Sequence, residues 1–290
     1  MTLHKIGFIG LGHMGLHMAR NLMAKGFALT VCSRRPEAAE TLTEQGAGLA
    51  ASPEELARGC DAVITVVGRP QDVREVYFGE RGLFAGFSEG KILIDMTTSS
   101  PALAVKIAAE ASRLGGAALD APISGGEKGA REGTLSIMAG GDRTAFERAL
   151  PLFQALGKTI IHQGGPGFGH YTKLTNQIAV ACNMLGVCES LSFAQRAGLD
   201  MEQAISSLMG GTSRSRSMES YAQKVVDGDF APGFYVKHFV KDMGIALDAA
   251  QSLELSLPAL QLAHRLYSGL AEQGGELQGI QSLFREYVNQ

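Results

Sequence analysis

The stretch Lys5-Ile6-Gly7-Phe8-Ile9-Gly10-Leu11-Gly12-His13-Met14-Gly15 constrains the fold of this chain more than any other. A run of strand character, Lys5–Ile9, leads directly into glycines at G-x-G-x-x-G spacing, and a helical pattern over Leu16–Lys25 follows at once. Strand, tight turn and helix in that order form the opening unit of a doubly wound parallel sheet. Gly10 permits the tight turn, Gly12 lets a ligand approach the backbone, and Gly15 lets helix and strand pack closely. Amides exposed at a helix N-terminus suit a pyrophosphate, so Gly10, Leu11, Gly12, His13, Met14 and Gly15 read as the cradle of a dinucleotide cofactor.

The pattern repeats downstream. The helix over Leu16–Lys25 is closed by Gly26, strand Leu29–Cys32 follows, and a helix over Glu37–Gln45 ends at Gly46. Ser52–Ala57 carries a helix start, with Ser52 as N-cap, Pro53 in the first turn and Glu55 three residues after the cap. Ala62–Val67, Ile92–Asp95, Ala117–Asp120, Ser136–Ala139 and Thr159–Ile161 supply further strands, and little helix precedes Leu135–Met138, which predicts antiparallel pairing at one edge. After Gly164-Gly165-Pro166-Gly167 the pattern becomes helical only. Residues 169–197 form one long helix, and Met201–Met209, Ser217–Asp227, Lys241–Ser252, Pro258–Glu272 and Ile280–Tyr287 form others. The expected fold is α/β: an N-terminal Rossmann-type, mostly parallel, doubly wound sheet over 1–164, then an all-α domain over 165–290 entered by a long interdomain helix. That much apolar helix surface also predicts a homodimer or homotetramer.

Composition removes several classes of function. Hydrophobic residues make up 45% and charged residues 19% of the 290, as in an ordinary globular protein. A net charge of −3 gives no field that would draw nucleic acid or a membrane surface. The 7 histidines lack metal-site spacing, and none of the 4 cysteines forms a C-x-x-C pair, so no metal is expected. The N-terminus has no signal-peptide pattern and no uninterrupted apolar run reaches about 18 residues, so a cytoplasmic location without a membrane partner is expected.

Three further groups carry chemistry. The second strand ends Ser33-Arg34-Arg35 with no acidic residue. A carboxylate there would repel a 2′-phosphate, whereas guanidinium pairs with it, so NADP is favoured over NAD through Arg34 first and Arg35 second. In Asp120-Ala121-Pro122-Ile123-Ser124-Gly125-Gly126, the Ser124 hydroxyl and the amides of Gly125 and Gly126 make a nest for the carboxylate of a small substrate. Lys173 lies near the start of the long helix with Asn176 and Gln177 one turn on, at i+3 and i+4. An amine beside two carboxamides can hand a proton to a carbonyl oxygen and hold it by hydrogen bonds.

In combination these motifs closely resemble the β-hydroxyacid dehydrogenase family, which includes 3-hydroxyisobutyrate dehydrogenase and tartronate semialdehyde reductase. The resemblance runs over essentially the whole chain and includes Asp95-Met96-Thr97-Thr98, the D-A-P-x-S-G-G motif, G-x-G-x-x-x-K-x-x-N and Lys237-His238-Phe239-Val240-Lys241-Asp242. It implies Lys173 as catalytic acid/base and Ser124, Gly125 and Gly126 as the carboxylate cradle. It further implies that Asn176 or Gln177 fixes the substrate and that Thr97 and Lys241 line the cofactor side. The implied activity is NAD(P)-dependent interconversion of a short β-hydroxy acid and its semialdehyde. Tartronate and methylmalonate semialdehydes lead, with succinate semialdehyde and glyoxylate as alternatives, and Ser213, Arg214 and Ser215 are candidates for selecting among them. A non-catalytic cofactor-binding scaffold is the alternative of another class. Where relatives often carry Leu-Pro, this chain reads Val67-Gly68-Arg69-Pro70, and after the lysine it has Asn-Gln, as in the tartronate semialdehyde reductase pattern.

Overall fold

The computed structural model describes residues 3–288, apart from the side chain of Pro36. The chain forms two compact units, the first ending at Lys173 and the second beginning at Leu174. A nine-stranded sheet organises the first: β1 (Lys5–Ile9), β2 (Ala28–Cys32), β3 (Gly48–Leu49), β4 (Ala62–Thr65), β5 (Ile92–Asp95), β6 (Ala117–Asp120), β7 (Ile123–Ser124), β8 (Leu135–Gly141) and β9 (Gly157–Gly164). The order is β3-β2-β1-β4-β5-β6-β8-β7, with β9 on the other side of β8. Pairings among β1 to β6 are all parallel. β8 then runs antiparallel to β6 and β7, while β9 lies parallel to β8. Antiparallel pairing of the Leu135 strand is therefore present as expected, but the stretch before it is not helix-poor: it holds the short helix Gly126–Glu132.

The central strands are buried on both faces, and the two-residue period of a strand divides their side chains between two apolar layers. Ile6, Phe8, Ile64, Ile92 and Ile94 face one layer with Met18 and Leu22, and Ile9, Val63 and Leu93 face the other with Leu56, Val73 and Tyr77. Each large apolar side chain so buried contributes about 1.5–3 kcal/mol. The predicted cap at Ser52 forms: its hydroxyl accepts the Glu55 amide at 3.2 Å, and the Glu55 carboxylate accepts the Ala51 amide at 2.8 Å.

Pro70–Phe78, Pro101–Arg113 and Arg143–Leu156 are helices that the sequence pattern leaves unmarked. The first two begin on a proline at N1, a start signal that also reads as a turn. The third holds Pro151 in its interior, where proline normally argues against a helix. The apolar stretch Ala62–Val67 is strand only to Thr65, and the two-residue β3 is too short to leave a pattern.

The second unit is helical. The helix Phe168–Arg196 carries the chain into it, and Met201–Gly210, Arg216–Val226, Val236–Ser252 and Pro258–Glu272 follow. Val236–Ser252 starts five residues earlier than predicted, which places the whole Lys237–Asp242 motif on one helix; the predicted helix Ile280–Tyr287 instead begins as a 3₁₀ turn, Ile280–Leu283, before Phe284–Val288. Phe168–Arg196 is long and apolar enough to cross a membrane by length and composition, with a mean hydropathy of 1.3 over its most apolar 18 residues. Leu174, Ala181, Met184, Val187, Cys188 and Leu191 on it join the core of the second unit with Phe239, Met243 and Tyr267, so core packing accounts for its apolar face.

Candidate active site

The glycine turn has the geometry its spacing requires. Gly10 has φ +101°, and a Cβ there would lie 1.9 Å from the carbonyl oxygen of Val66. A Cβ on Gly15 would lie 1.8 Å from the Gly10 carbonyl oxygen and 3.2 Å from the Phe8 ring. Gly12 differs: among the described residues, the only atom within 4 Å of its missing Cβ is a guanidinium nitrogen of Arg35 at 3.8 Å. Backbone at Gly12 therefore stands open to an approaching group, as a pyrophosphate cradle needs. The helix Gly15–Ala24 begins here, with no side chain capping its N-terminus.

At the end of β2 the two arginines behave differently. Arg35 donates from Nη2 to the Leu11 carbonyl oxygen at 3.0 Å and from its amide to the Ser33 hydroxyl at 3.1 Å, so it braces the glycine turn. The Arg34 side chain is 88% exposed and meets Asp72 Oδ1 at 3.5 Å, a contact weak enough to exchange for a stronger anion.

β7 ends on Ser124, and Gly125 and Gly126 follow with φ +137° and +64°. Both lie at positive φ, which glycine adopts without the penalty a side chain would bring. Gly126 opens the short helix Gly126–Glu132, where the glycine-rich sequence alone suggests a loop. Asn21, on the helix that follows the glycine turn, donates from Nδ2 to the Ala130 carbonyl oxygen at 2.7 Å and ties the two helices together.

Lys173 sits on the first turn and a half of the long helix and is buried, at 7% exposure. A carboxylate fixes the start of that helix. Asp120, at the end of β6, accepts the Gly167 amide on Oδ1 and the His170 amide on Oδ2, each at 2.8 Å. Burial pushes the Asp120 carboxyl above its ordinary range, and His170 with the two amides pulls it part of the way back. Contact is close enough that a Cβ on Gly169 would stand 2.2 Å from the Asp120 carbonyl oxygen. Asp95, at the end of β5, accepts the Thr97 amide on Oδ1 at 3.0 Å, and the buried Thr97 hydroxyl accepts the Val67 amide at 3.0 Å. The imidazole Nε2 of His170 lies 3.6 Å from Asp95 Oδ2.

In the second unit Asn176, Gln177 and Lys241 converge on Asp242, a residue that no local sequence pattern marks as part of a site. Asn176 Nδ2 donates to Gln177 Oε1 at 2.9 Å, and Gln177 Nε2 donates to Asp242 Oδ2 at 2.7 Å. Lys241 Nζ lies 2.9 Å from the other oxygen, Asp242 Oδ1. Asp242 is 3% exposed and thus sets the orientation of both carboxamides. Arg214 and Arg216 both pair with Glu219, at 2.7 and 3.2 Å. Among the described residues no group of three or more His, Cys, Asp or Glu side chains is placed to hold a metal ion.

Two family descriptions match the chain: "NAD binding domain of 6-phosphogluconate dehydrogenase" over residues 5–165, and "NAD-binding of NADP-dependent 3-hydroxyisobutyrate dehydrogenase" over 167–287. Together with the site geometry, these place the chain among nicotinamide-dependent dehydrogenases. The chain belongs to the β-hydroxyacid dehydrogenase family of NAD(P)-dependent oxidoreductases. It is 44% identical to the probable 3-hydroxyisobutyrate dehydrogenase-like 1 of Arabidopsis thaliana, over 96% of this chain and 84% of that protein. It is 42% identical to the 2-hydroxy-3-oxopropionate reductase of Escherichia coli, over 93% and 92%. Among solved structures, 3-hydroxyisobutyrate dehydrogenase of Mycobacterium tuberculosis with L-serine superposes with a TM-score of 0.91 at 29% identity, covering 99% of each chain.

Proposed function

We propose that this dehydrogenase interconverts a short β-hydroxy acid and its semialdehyde with Lys173 as the acid/base. The observation that carries this reading is the buried Lys173 on a helix whose first turn is gripped by Asp120. In reduction the Lys173 ammonium donates a proton to the substrate carbonyl oxygen; in oxidation the free amine takes the hydroxyl proton. The Ser124 hydroxyl and the amides of Gly125 and Gly126 receive the substrate carboxylate, and Asn176, oriented through Gln177 and Asp242, holds the reacting oxygen. Gly10 to Gly15 hold the cofactor pyrophosphate, with Thr97 and Lys241 toward the nicotinamide. The bound nicotinamide supplies the hydride in one direction and accepts it in the other.

NADP is the proposed coenzyme. Arg35 is engaged on the glycine turn, so the exposed Arg34 is the guanidinium available to a 2′-phosphate. Tartronate semialdehyde, which is 2-hydroxy-3-oxopropionate, leads as substrate because the Asn176-Gln177 pair and the activity named for the Escherichia coli relative agree. Methylmalonate semialdehyde comes next. The proposed assembly is a homodimer or homotetramer, which would cover Phe193 and Leu199, 76% and 55% exposed on the second unit.

A panel of tartronate, methylmalonate and succinate semialdehydes and glyoxylate, followed at the reduced-nicotinamide absorbance with NADH and NADPH in parallel, tests the reading. Lys173→Ala should lower kcat by at least about 10²-fold while leaving cofactor affinity within about twofold. A variant that keeps more than a tenth of the rate would remove the acid/base assignment.

A further inference from the structure

The buried group His170, Asp95 and Asp120 lies outside the motif roles given so far. His170 is 1% and Asp95 3% exposed, and neither imidazole nitrogen of His170 nor Asp95 Oδ2 has a hydrogen-bond partner among the described residues. Buried polar atoms left without partners are uncommon, and here two of them face each other at 3.6 Å, Nε2 toward Oδ2. The other Asp95 oxygen is taken by the Thr97 amide, and the His170 amide is taken by Asp120. The connections form one chain: Val67 amide to Thr97 hydroxyl, Thr97 amide to Asp95, Asp95 to the His170 ring, and the His170 amide to Asp120. It begins at the end of β4 and ends one helical turn before Lys173.

We propose that His170 is a positioning residue: clamped by Asp95, its ring fixes the angular setting of the turn that carries Lys173. His170 and Lys173 are three residues apart on one helix, so a rotation of the first displaces the second by a similar amount. A shift of about 1 Å at a reacting group costs as much as 10²-fold in rate. Asp120 holds the backbone amides of Gly167 and His170, whereas Asp95 faces the His170 side chain, a second and separate hold on the same turn. The inference rests on the acid/base reading of Lys173, and the test separates the two.

The test compares His170→Gln and His170→Phe with Lys173→Ala in the full-length protein. Glutamine places a donor where Nε2 lies, whereas phenylalanine keeps a ring of similar volume and no donor. His170→Phe should lower kcat by about tenfold or more with cofactor Kd within about twofold, and His170→Gln should stay within about threefold of wild type. Hydride transfer should become more rate-limiting in His170→Phe, so the isotope effect on kcat with 4-deuterated reduced cofactor should rise. Amide exchange over residues 167–174 should also accelerate in His170→Phe and not in His170→Gln, a readout that needs no substrate. Wild-type exchange and turnover in His170→Phe would overturn the proposal, as would equal losses in both variants. If Lys173→Ala keeps its rate, the acid/base reading fails instead, whatever His170 does.

Discussion

At the residue scale, several side chains do work that their position in the sequence does not announce. Arg34 and Arg35 are neighbours of the same type, yet one braces the glycine turn and the other projects into solvent. If Arg34 reads the 2′-phosphate, Arg34→Ala should raise KM for NADPH by about tenfold and leave KM for NADH nearly unchanged, since a charge-assisted pair contributes about 1.5–3 kcal/mol. Steady-state kinetics with both coenzymes decides it: a parallel rise in both KM values would mean Arg34 supports the loop and not the phosphate. Asp242 is a different case. It appears in the sequence only as the last residue of a matching segment, because its partner Gln177 is 65 positions away. A carboxamide pair oriented by a buried carboxylate is a tertiary fact, and no local pattern encodes it.

At the element scale, the strands, the glycine turn and the long helix were legible because each rests on periodicity or backbone sterics. Burial on both faces of β4 and β5 follows from the apolar runs Ala62-Val63-Ile64 and Ile92-Leu93-Ile94, and the turn at Gly10 follows from three spaced glycines. The crossover helices starting at Pro70 and Pro101 were not legible, since proline at N1 and proline in a loop look alike without the fold around them. Asp120 was legible as part of a motif, but not as the anchor of a helix that starts 48 residues later, because its acceptors meet amides of Gly167 and His170. That anchor can be tested by calorimetry. Asparagine offers one acceptor where Asp120 offers two, so Asp120→Asn should destabilise the protein by about 1–3 kcal/mol. The pH dependence has a definite sign. Burial raises the folded-state pKa of Asp120, so its ionisation costs stability: the contribution is complete below the ordinary value of 3.8 and is lost as pH rises through the raised one. The stability gap between wild type and Asp120→Asn should therefore widen on acidification through that window. A gap that narrows would mean that the amides outweigh burial.

At the scale of the whole molecule, most of the proposed site residues of the first unit lie in loops and helix starts at the carboxyl ends of parallel strands, where open α/β sheets bind ligands. The turn at Gly10 follows β1, Arg34 follows β2, Thr97 follows β5 and the Asp120 anchor ends β6. The second unit has no strand among the described residues and packs around the helix Phe168–Arg196, which enters it at Leu174. Its exposed Phe193 is the point at which self-association can be probed. Light scattering should report a dimer or tetramer for the wild type, and Phe193→Glu should shift the distribution toward monomer, because a buried charge without a partner is costly. A monomeric wild type would refute the proposed assembly.

Gly10 also bears on how such a chain can change over generations. With the Val66 carbonyl 1.9 Å from where a methyl group would sit, even alanine has no room, and the positive φ adds to the penalty. Any lineage that replaced this glycine would first have to part β1 from β4, two hydrogen-bonded parallel strands inside the sheet. Position 10 therefore cannot drift through mild intermediates as a surface residue can. If Ser124 and Asn176 hold the substrate as proposed, descendants can exchange substrates by altering them or their neighbours, but the turn at Gly10 is inherited whole or lost with the fold.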